Sequence, residues 1–151
     1  MTGQLPGMID TVVVATDGSE SVTRAVTVAL DLARRFDAEV HALYVVDSGE
    51  VDSSPESLQD ELHDALEAQG TEALDTVRDH ADREVITAVR EGDPAAEISE
   101  YAREQDADVV ATGTRGRHGE NRFLIGSVAE RVVRSCPTPV LTVRQLADGP
   151  A

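Results

Sequence analysis

The chain has 151 residues, enough for one domain that buries a core without disulfides or a structural metal. Its 13 basic residues are all arginines and stand against 29 acidic ones, so the formal net charge is −16. That charge argues against binding nucleic acid or an anionic membrane, and the lack of lysine excludes a Walker-type phosphate loop and Schiff-base chemistry.

The composition also indicates a compartment. The single cysteine, Cys136, permits no intramolecular disulfide, and residues 1–10 lack the charged and apolar segments of a signal peptide. No apolar run approaches the length of a membrane span. We therefore expect a cytoplasmic protein. Its many carboxylates favour adaptation to a salty, halophilic cytoplasm, in which like-charge repulsion is screened, over an acidic surface that only aids solubility.

Apolar strands alternate with amphipathic helices along the chain. Strands are predicted at residues 11–15, 40–46, 85–89, 108–112 and 139–143. Helices are predicted at residues 21–36, at 58–77, from Asp93-Pro94 onwards and at 127–135. Residues 47–55 are predicted to be a polar loop, and Gly70 weakens the second helix. The order predicts a doubly wound parallel α/β sheet in one domain over residues 1–151, with an ordered core at about residues 9–144.

The charge is distributed unevenly. Residues 47–108 hold 20 acidic residues and four arginines, whereas residues 113–144 hold six arginines and two glutamates. We expect Arg131 and Arg134, which lie in a helix, to pair with carboxylates of the long acidic helix. Arg115 and Arg117 lie in a glycine-rich segment and are better placed to meet an anion.

That glycine-rich segment runs from the end of the fourth strand to the start of the last helix. Glycines let backbone N–H groups approach a phosphate closely, and a helix start adds a favourable dipole. We expect Ser127 at the N-cap. Asp17 follows the first strand, so it shares a crevice with this segment if the first and fourth strands are neighbours. A carboxylate there accepts hydrogen bonds from a ribose. Glycine clusters alone also mark ordinary turns.

The spacing within the segment is more specific. It is Gly113-x₂-Gly116-x₉-Gly126-Ser127, and with it the chain resembles the ATP-binding type of the universal stress protein family. The resemblance covers about residues 9–144. It includes four further stretches: Val-Val-Ala-Thr-Asp-Gly-Ser, Tyr-Val-Val-Asp, Gly-Asp-Pro and Pro-Val-Leu-Thr-Val. One departure is Ala15, where many ATP-binding members have proline.

The resemblance implies a five-stranded, Rossmann-like sheet of the adenine nucleotide alpha hydrolase-like type, in the order 3-2-1-4-5. It also implies site residues. The nucleoside would meet Ala15, Thr16, Asp17, Val45, Thr112 and Gly113, with Asp17 on the ribose and Val45 on the adenine. The phosphates would meet Gly116, Gly126, Ser127 and Val128. Arg115 is a further candidate phosphate contact, because it lies within the glycine segment. The family typically forms homodimers through the fifth strand, here residues 140–143.

Three functions stay open. The leading hypothesis is an ATP-binding stress-response or signalling protein that relays occupancy to an unknown protein partner. Any hydrolysis would be slow, because no strong general base is evident near the phosphates. The alternatives are a nucleotide hydrolase or transferase of the same fold, and a nucleotide-independent, chaperone-like interaction module. The sequence does not distinguish ATP from ADP, AMP or a cyclic nucleotide.

Other candidate groups carry weaker signals. Asp17 could hold Mg²⁺ through a water near the phosphates. The histidines His41, His63 and His80 show no metal-ligand spacing, and His118 lies in the glycine segment. We expect Cys136 to be an inert thiol.

Overall fold

The computed structural model of the chain describes residues 9–114 and 126–145. Its five strands are β1 (Thr11–Ala15), β2 (Glu39–Asp47), β3 (Val85–Gly92), β4 (Val109–Gly113) and β5 (Val140–Val143). Its helices are α1 (Thr23–Phe36), α2 (Ser48–Asp52), α3 (Gln59–His80), α4 (Pro94–Glu104) and α5 (Ser127–Ser135). A short 3-10 helix, Glu20–Val22, precedes α1, and another, Glu56–Leu58, precedes α3.

The sheet is parallel throughout, and its strand order is β3-β2-β1-β4-β5. This confirms the predicted α/β fold and the order 3-2-1-4-5. The central strand β1 pairs with both β2 and β4, and Val13 lies opposite His41 on one side and Val110 on the other. The three inner strands, β1, β2 and β4, are buried on both faces, which is why they read as continuous apolar runs.

Helices cover the two faces of the sheet with separate cores. On one face, α1 and α3 pack on alternate strand residues such as Val12, Ala42 and Tyr44. On the other face, α4 and α5 pack on the intervening residues, such as Val13 and Leu43. The period of two along each strand therefore decides which helix pair a residue meets.

The prediction of a polar loop at residues 47–55 is wrong in its first half. Helix α2 begins directly after β2, and the carboxylate of Asp47 accepts hydrogen bonds from the N–H groups of Gly49 (3.0 Å) and Glu50 (3.3 Å). Val51 is buried against the core formed by α1 and α3. An N-cap aspartate followed three residues later by glutamate is a recognised helix start, and this signal marks α2 in the sequence.

Helix α3 is continuous through Gly70, contrary to the predicted weakness there. The glycine is buried, and a Cβ atom at this position would lie 2.7 Å from Cε2 of Tyr44, well inside van der Waals contact. Tyr44 is 1% exposed. Gly70 therefore lets α3 approach β2 over an aromatic ring, and packing outweighs its low helix propensity.

Candidate functional site

A cleft of about 240 Å³ opens at the carboxyl ends of β1, β2 and β4. Eleven residues are predicted from the sequence to contact a nucleotide, and nine of them lie in the described part of the chain. All nine line this cleft: Ala15, Thr16, Asp17, Val45, Thr112, Gly113, Gly126, Ser127 and Val128. The other two, Arg115 and Gly116, lie outside the described residues, as do Arg117 and His118. Because β1 lies between β2 and β4, their exits meet in one crevice, as the sheet order requires.

The turn after β1 is held by its own side chains and by α3. Oδ1 of Asp17 accepts hydrogen bonds from the N–H (2.9 Å) and the hydroxyl (2.6 Å) of Ser19, and Oγ1 of Thr16 accepts one from the N–H of Gly18 (3.1 Å). Gly18 has a φ of +81°, a conformation that favours glycine. From α3, Nε2 of Gln69 donates to the carbonyl of Asp17 at 3.1 Å. These bonds hold the Asp17 carboxylate in the cleft wall.

The start of α5 forms the opposite wall, and it corrects the prediction for Ser127. The N-cap is Gly126, whose backbone is extended (φ −68°, ψ 159°) and whose carbonyl accepts the first helical bond, from Glu130 at 2.9 Å. Ser127 is therefore the first helical residue. The N–H of Gly126 donates to the carbonyl of Thr114, which joins the two ends of the glycine segment. The main-chain N–H groups that can donate to a ligand are therefore those of the residues that follow Gly126.

The N-cap of α5 makes no side-chain hydrogen bond. Two of the other helices that begin at this end of the sheet differ, because Asp47 caps α2 and Asp93 caps α4 with their carboxylates. The first N–H groups of an α-helix have no acceptor within the helix and carry its positive dipole end. The start of α5 is therefore suited to an anion from outside the helix.

Seven further lining residues were not predicted as site residues. They are Val22, Leu43, Asp47, Glu50, Pro94, Ile98 and Ala129. The sequence positions of two of them could have indicated the cleft. Leu43 lies two residues before Val45 on the same face of β2, and Ile98 lies one turn after Pro94 in α4. Asp47 and Glu50 were missed because α2 was predicted as loop.

The cleft combines an apolar wall with carboxylates. Leu43, Val45 and Ile98 supply apolar surface, whereas Asp17, Asp47 and Glu50 contribute three acidic groups. Among the lining residues within the described ranges, none is basic. A bound anion is therefore favoured at the helix start rather than near α2.

Arginines of α5 pair differently from the prediction. Arg131 donates to both carboxylate oxygens of Asp93, at 2.8 and 2.7 Å, and Arg134 pairs with Glu130 at 3.3 Å within its own helix. Neither partner belongs to the long helix α3. The hydrogen bond from Arg131 lowers the pKa of Asp93 and, in return, raises the pKa of Arg131.

Two histidines with polar neighbours, His41 and His63, lie away from the cleft. His41 is 3% exposed in β2; its Nδ1 lies 2.7 Å from the hydroxyl of Tyr101 and its Nε2 lies 2.8 Å from Glu39. His63 of α3 lies 2.9 Å from Glu91, and its ring also faces Asp64 and Glu67. The sequence did not reveal that His63, Asp64 and Glu67 bring ligand-type atoms within 4.8 Å of one another. The hydrogen bond to Glu91 raises the pKa of His63.

Within residues 9–114 and 126–145, no helix combines the length and the apolar character that crossing a membrane requires.

Comparison with known proteins decides the family. The model of the universal stress protein family matches residues 8–144. The chain belongs to the universal stress protein family. One relative, the universal stress protein MJ0531 of Methanocaldococcus jannaschii, is 40% identical over 138 residues, covering 89% of this chain and 81% of its own length.

Solved universal stress proteins share the fold. UspA from Lactobacillus plantarum superposes with a TM-score of 0.74 at 28% identity, covering 90% of this chain and 98% of that one. A universal stress protein crystallised in complex with cAMP superposes with a TM-score of 0.66, also at 28% identity, over 91% of this chain and 98% of that one.

Proposed function

We propose that the cleft binds an adenine nucleotide and that the protein acts as a sensor whose state depends on that occupancy. The observation that carries the proposal is the meeting of nine predicted contact residues in one cleft, next to the uncapped start of α5. The universal stress protein crystallised with cAMP supports the same ligand class. ATP is the expected nucleotide because the glycine spacing resembles that of ATP-binding members.

The apolar part of the cleft suits the base. Leu43 and Val45 from β2 and Ile98 from α4 offer aliphatic surface, against which a planar adenine buries its faces. The ribose then lies near the turn after β1. The carboxylate of Asp17 accepts bonds from Ser19 through Oδ1, and carboxylates accept more than one donor, so a ribose hydroxyl is a fitting further partner.

The polar part suits the phosphates. The N–H groups of Ser127 and Val128 belong to the first turn of α5, where anions are favoured. In the sequence, the glycine segment between β4 and α5 carries Arg115 and Arg117, whose positive charge favours a phosphate ligand. The carboxylates of Asp17, Asp47 and Glu50 oppose a polyphosphate, so a divalent cation such as Mg²⁺, held through water by Asp17, fits the donor set.

A binding role is favoured over rapid hydrolysis. The one cleft carboxylate that follows β1, Asp17, is engaged by Ser19. The histidines of the described ranges, His41, His63 and His80, hydrogen-bond to groups outside the cleft. A positioned general base beside the phosphates is what fast hydrolysis requires. A hydrolase or transferase of the same fold, and a nucleotide-independent interaction module, are the two competing functions.

Isothermal titration with adenosine, AMP and ATP, with and without Mg²⁺, tests the proposal. The titrations are made at several salt concentrations, because the charge of −16 makes stability and anion binding salt-dependent. Saturable binding of AMP or ATP supports the proposal, and no binding by either at any salt removes it. Turnover well above about one per minute, lost in Asp17→Ala, would instead favour the hydrolase.

The quaternary state is a separate part of the proposal. Strand β5 is an edge of the sheet, and Val140, Leu141 and Thr142 are only partly buried in the single chain. Pairing with a second copy along β5 would cover that edge. Light scattering is expected to give twice the mass of one chain; a monomer mass at all concentrations would contradict this.

A further inference from the structure

A two-pronged ion pair joins the two helices that border the cleft. Both terminal nitrogens of Arg131, in α5, donate to the carboxylate of Asp93, which immediately precedes α4. The distances of 2.8 and 2.7 Å are those of a well-formed bidentate pair. Such a pair fixes orientation as well as distance, because the planar guanidinium and the carboxylate must lie side by side.

Asp93 has a second partner in the same place. Its Oδ2 accepts a hydrogen bond from the N–H of Ala96 at 3.0 Å and so caps α4. The carboxylate therefore holds the first turn of α4 and the second turn of α5 at once. Asp47, the cap of α2, also lies close enough to act on the charge of Arg131.

Each of the joined helices contributes residues near its amino end to the cleft. Pro94 and Ile98 of α4 line one side, and Ser127, Val128 and Ala129 of α5 line the other. Neither Asp93 nor Arg131 lines the cleft itself. Their pair lies at the surface beside the cleft, with the side chains of Arg131 and Asp93 54% and 44% exposed, and it sets how the start of α5 faces the rest of the site.

We infer that Asp93 and Arg131 are positioning residues, which hold the start of α5 in the orientation that receives the nucleotide phosphate. The inference deepens the proposed function and rests on it. It assigns the pair to phosphate recognition. The cap on α4, which carries Ile98 against the base, does not depend on Arg131, and the other base and ribose contacts come from β1, β2 and the turn at Asp17. Loss of the pair should therefore weaken the binding of phosphate-bearing ligands and leave the binding of the nucleoside unchanged.

The substitution Asp93→Asn separates this inference from simple electrostatics. Asparagine is as good an N-cap as aspartate, so the cap on α4 is retained. The variant removes a negative charge near the proposed phosphate, which by Coulomb's law alone would strengthen AMP binding. Loss of positioning predicts the opposite sign: AMP binding weakened by about tenfold, the range of helix-start effects on an anion.

Variants of the arginine complete the test. Arg131→Gln is expected to weaken AMP binding by about tenfold. Arg131→Lys should also weaken AMP binding, because lysine keeps the charge but loses the two-pronged geometry. Arg134→Gln is the matched control, because it removes the same charge from the same helix, where the partner within the described residues is Glu130 of α5 itself. It should change AMP binding by less than about twofold.

The measurement is titration of adenosine and AMP into each variant of the full chain, with circular dichroism as a check on folding. Adenosine affinity unchanged within about twofold, with AMP weakened in Asp93→Asn, supports the inference. AMP binding that is equal or tighter in Asp93→Asn overturns it, as does an equal loss of adenosine and AMP or an equal effect of Arg134→Gln. Failure of the parent chain to bind AMP would instead overturn the proposed function itself.

Discussion

The two ends of the parallel sheet use their polar groups in opposite ways. At the amino end, Asp108 accepts bonds from the N–H groups of Asp10 and Thr11, and His41 lies between Tyr101 and Glu39. At the carboxyl end, α5 begins at a glycine without a side-chain cap and faces an open cleft. Groups satisfied by the chain itself contribute to stability, whereas helix-start donors facing a cleft are available to a ligand.

This contrast predicts that substitutions at the two ends have separable effects. Changes at the carboxyl end should alter ligand affinity with little effect on unfolding. Changes at the amino end should do the reverse.

The largest effect is expected at Gly126. Its backbone is extended, so Gly126→Val is compatible with the local conformation, but the branched side chain would crowd the first N–H groups of α5. Losing hydrogen bonds to a charged phosphate should weaken AMP or ATP binding by about a hundredfold, with the unfolding midpoint little changed. Titration and chemical denaturation measure the two quantities. Gly126→Ala should lose less nucleotide affinity than Gly126→Val. If Gly126→Val binds AMP and ATP as tightly as the parent, the start of α5 is not the phosphate site.

The matching change at the amino end is Tyr101→Phe. The Glu39 carboxylate only accepts hydrogen bonds, so Nε2 of His41 donates to it, and the Tyr101 hydroxyl, which stays protonated because burial raises its pKa, bonds to Nδ1. Removing the hydroxyl leaves the buried Nδ1 without its partner and should lower the free energy of unfolding by about 1–3 kcal/mol. Denaturation should reveal this loss while nucleotide affinity stays constant. A loss of affinity would contradict the separation of the two ends.

Between the two ends, Gly70 tests packing alone. Alanine favours helix by about 1 kcal/mol, but its Cβ would overlap the buried ring of Tyr44. Overpacking typically costs about 1–3 kcal/mol, so we expect Gly70→Ala to be destabilising by about 1 kcal/mol net. Ala68→Gly, at an exposed position of the same helix, measures the propensity contribution separately. A stabilised Gly70→Ala would contradict the packing described for α3.

The smallest effect is expected from His63, on the exposed edge formed by α3 and β3. Its pKa is raised above the ordinary 6.5 by the hydrogen bond to Glu91 and by the nearby carboxylates. A raised folded-state pKa means that the stabilisation is complete below pH 6.5 and is lost as the pH rises through the folded value. The parent should therefore lose more stability than His63→Gln between about pH 6 and about pH 8.5. Equal losses in the two proteins would refute this role.

The sequence predicted the fold because the signals for it are local. Continuous apolar strands and amphipathic helices are read directly from neighbouring residues, and they predicted the α/β class. The sheet order and most of the cleft residues came from the family resemblance, which the glycine spacing carries. Helix α2 was missed although Asp47 and Glu50 carry its start, because five residues with a single apolar side chain resemble a loop.

Other features depend on contacts between distant residues. The role of Gly70 is set by Tyr44 in β2, and the partner of Arg131 lies 38 residues away at Asp93. The His41–Tyr101 contact likewise joins a strand to a helix 60 residues further along. Periodicity places such residues on a face but does not select their partners, so the structure is needed for them.

The most direct test of the nucleotide cleft is NMR of the amide groups during titration with AMP. We expect saturable shifts of the N–H signals of Ser127, Val128 and Ala129, with those of Glu39 and Val40 at the amino end unchanged. Shifts absent from the start of α5, or concentrated at the amino end, would contradict it.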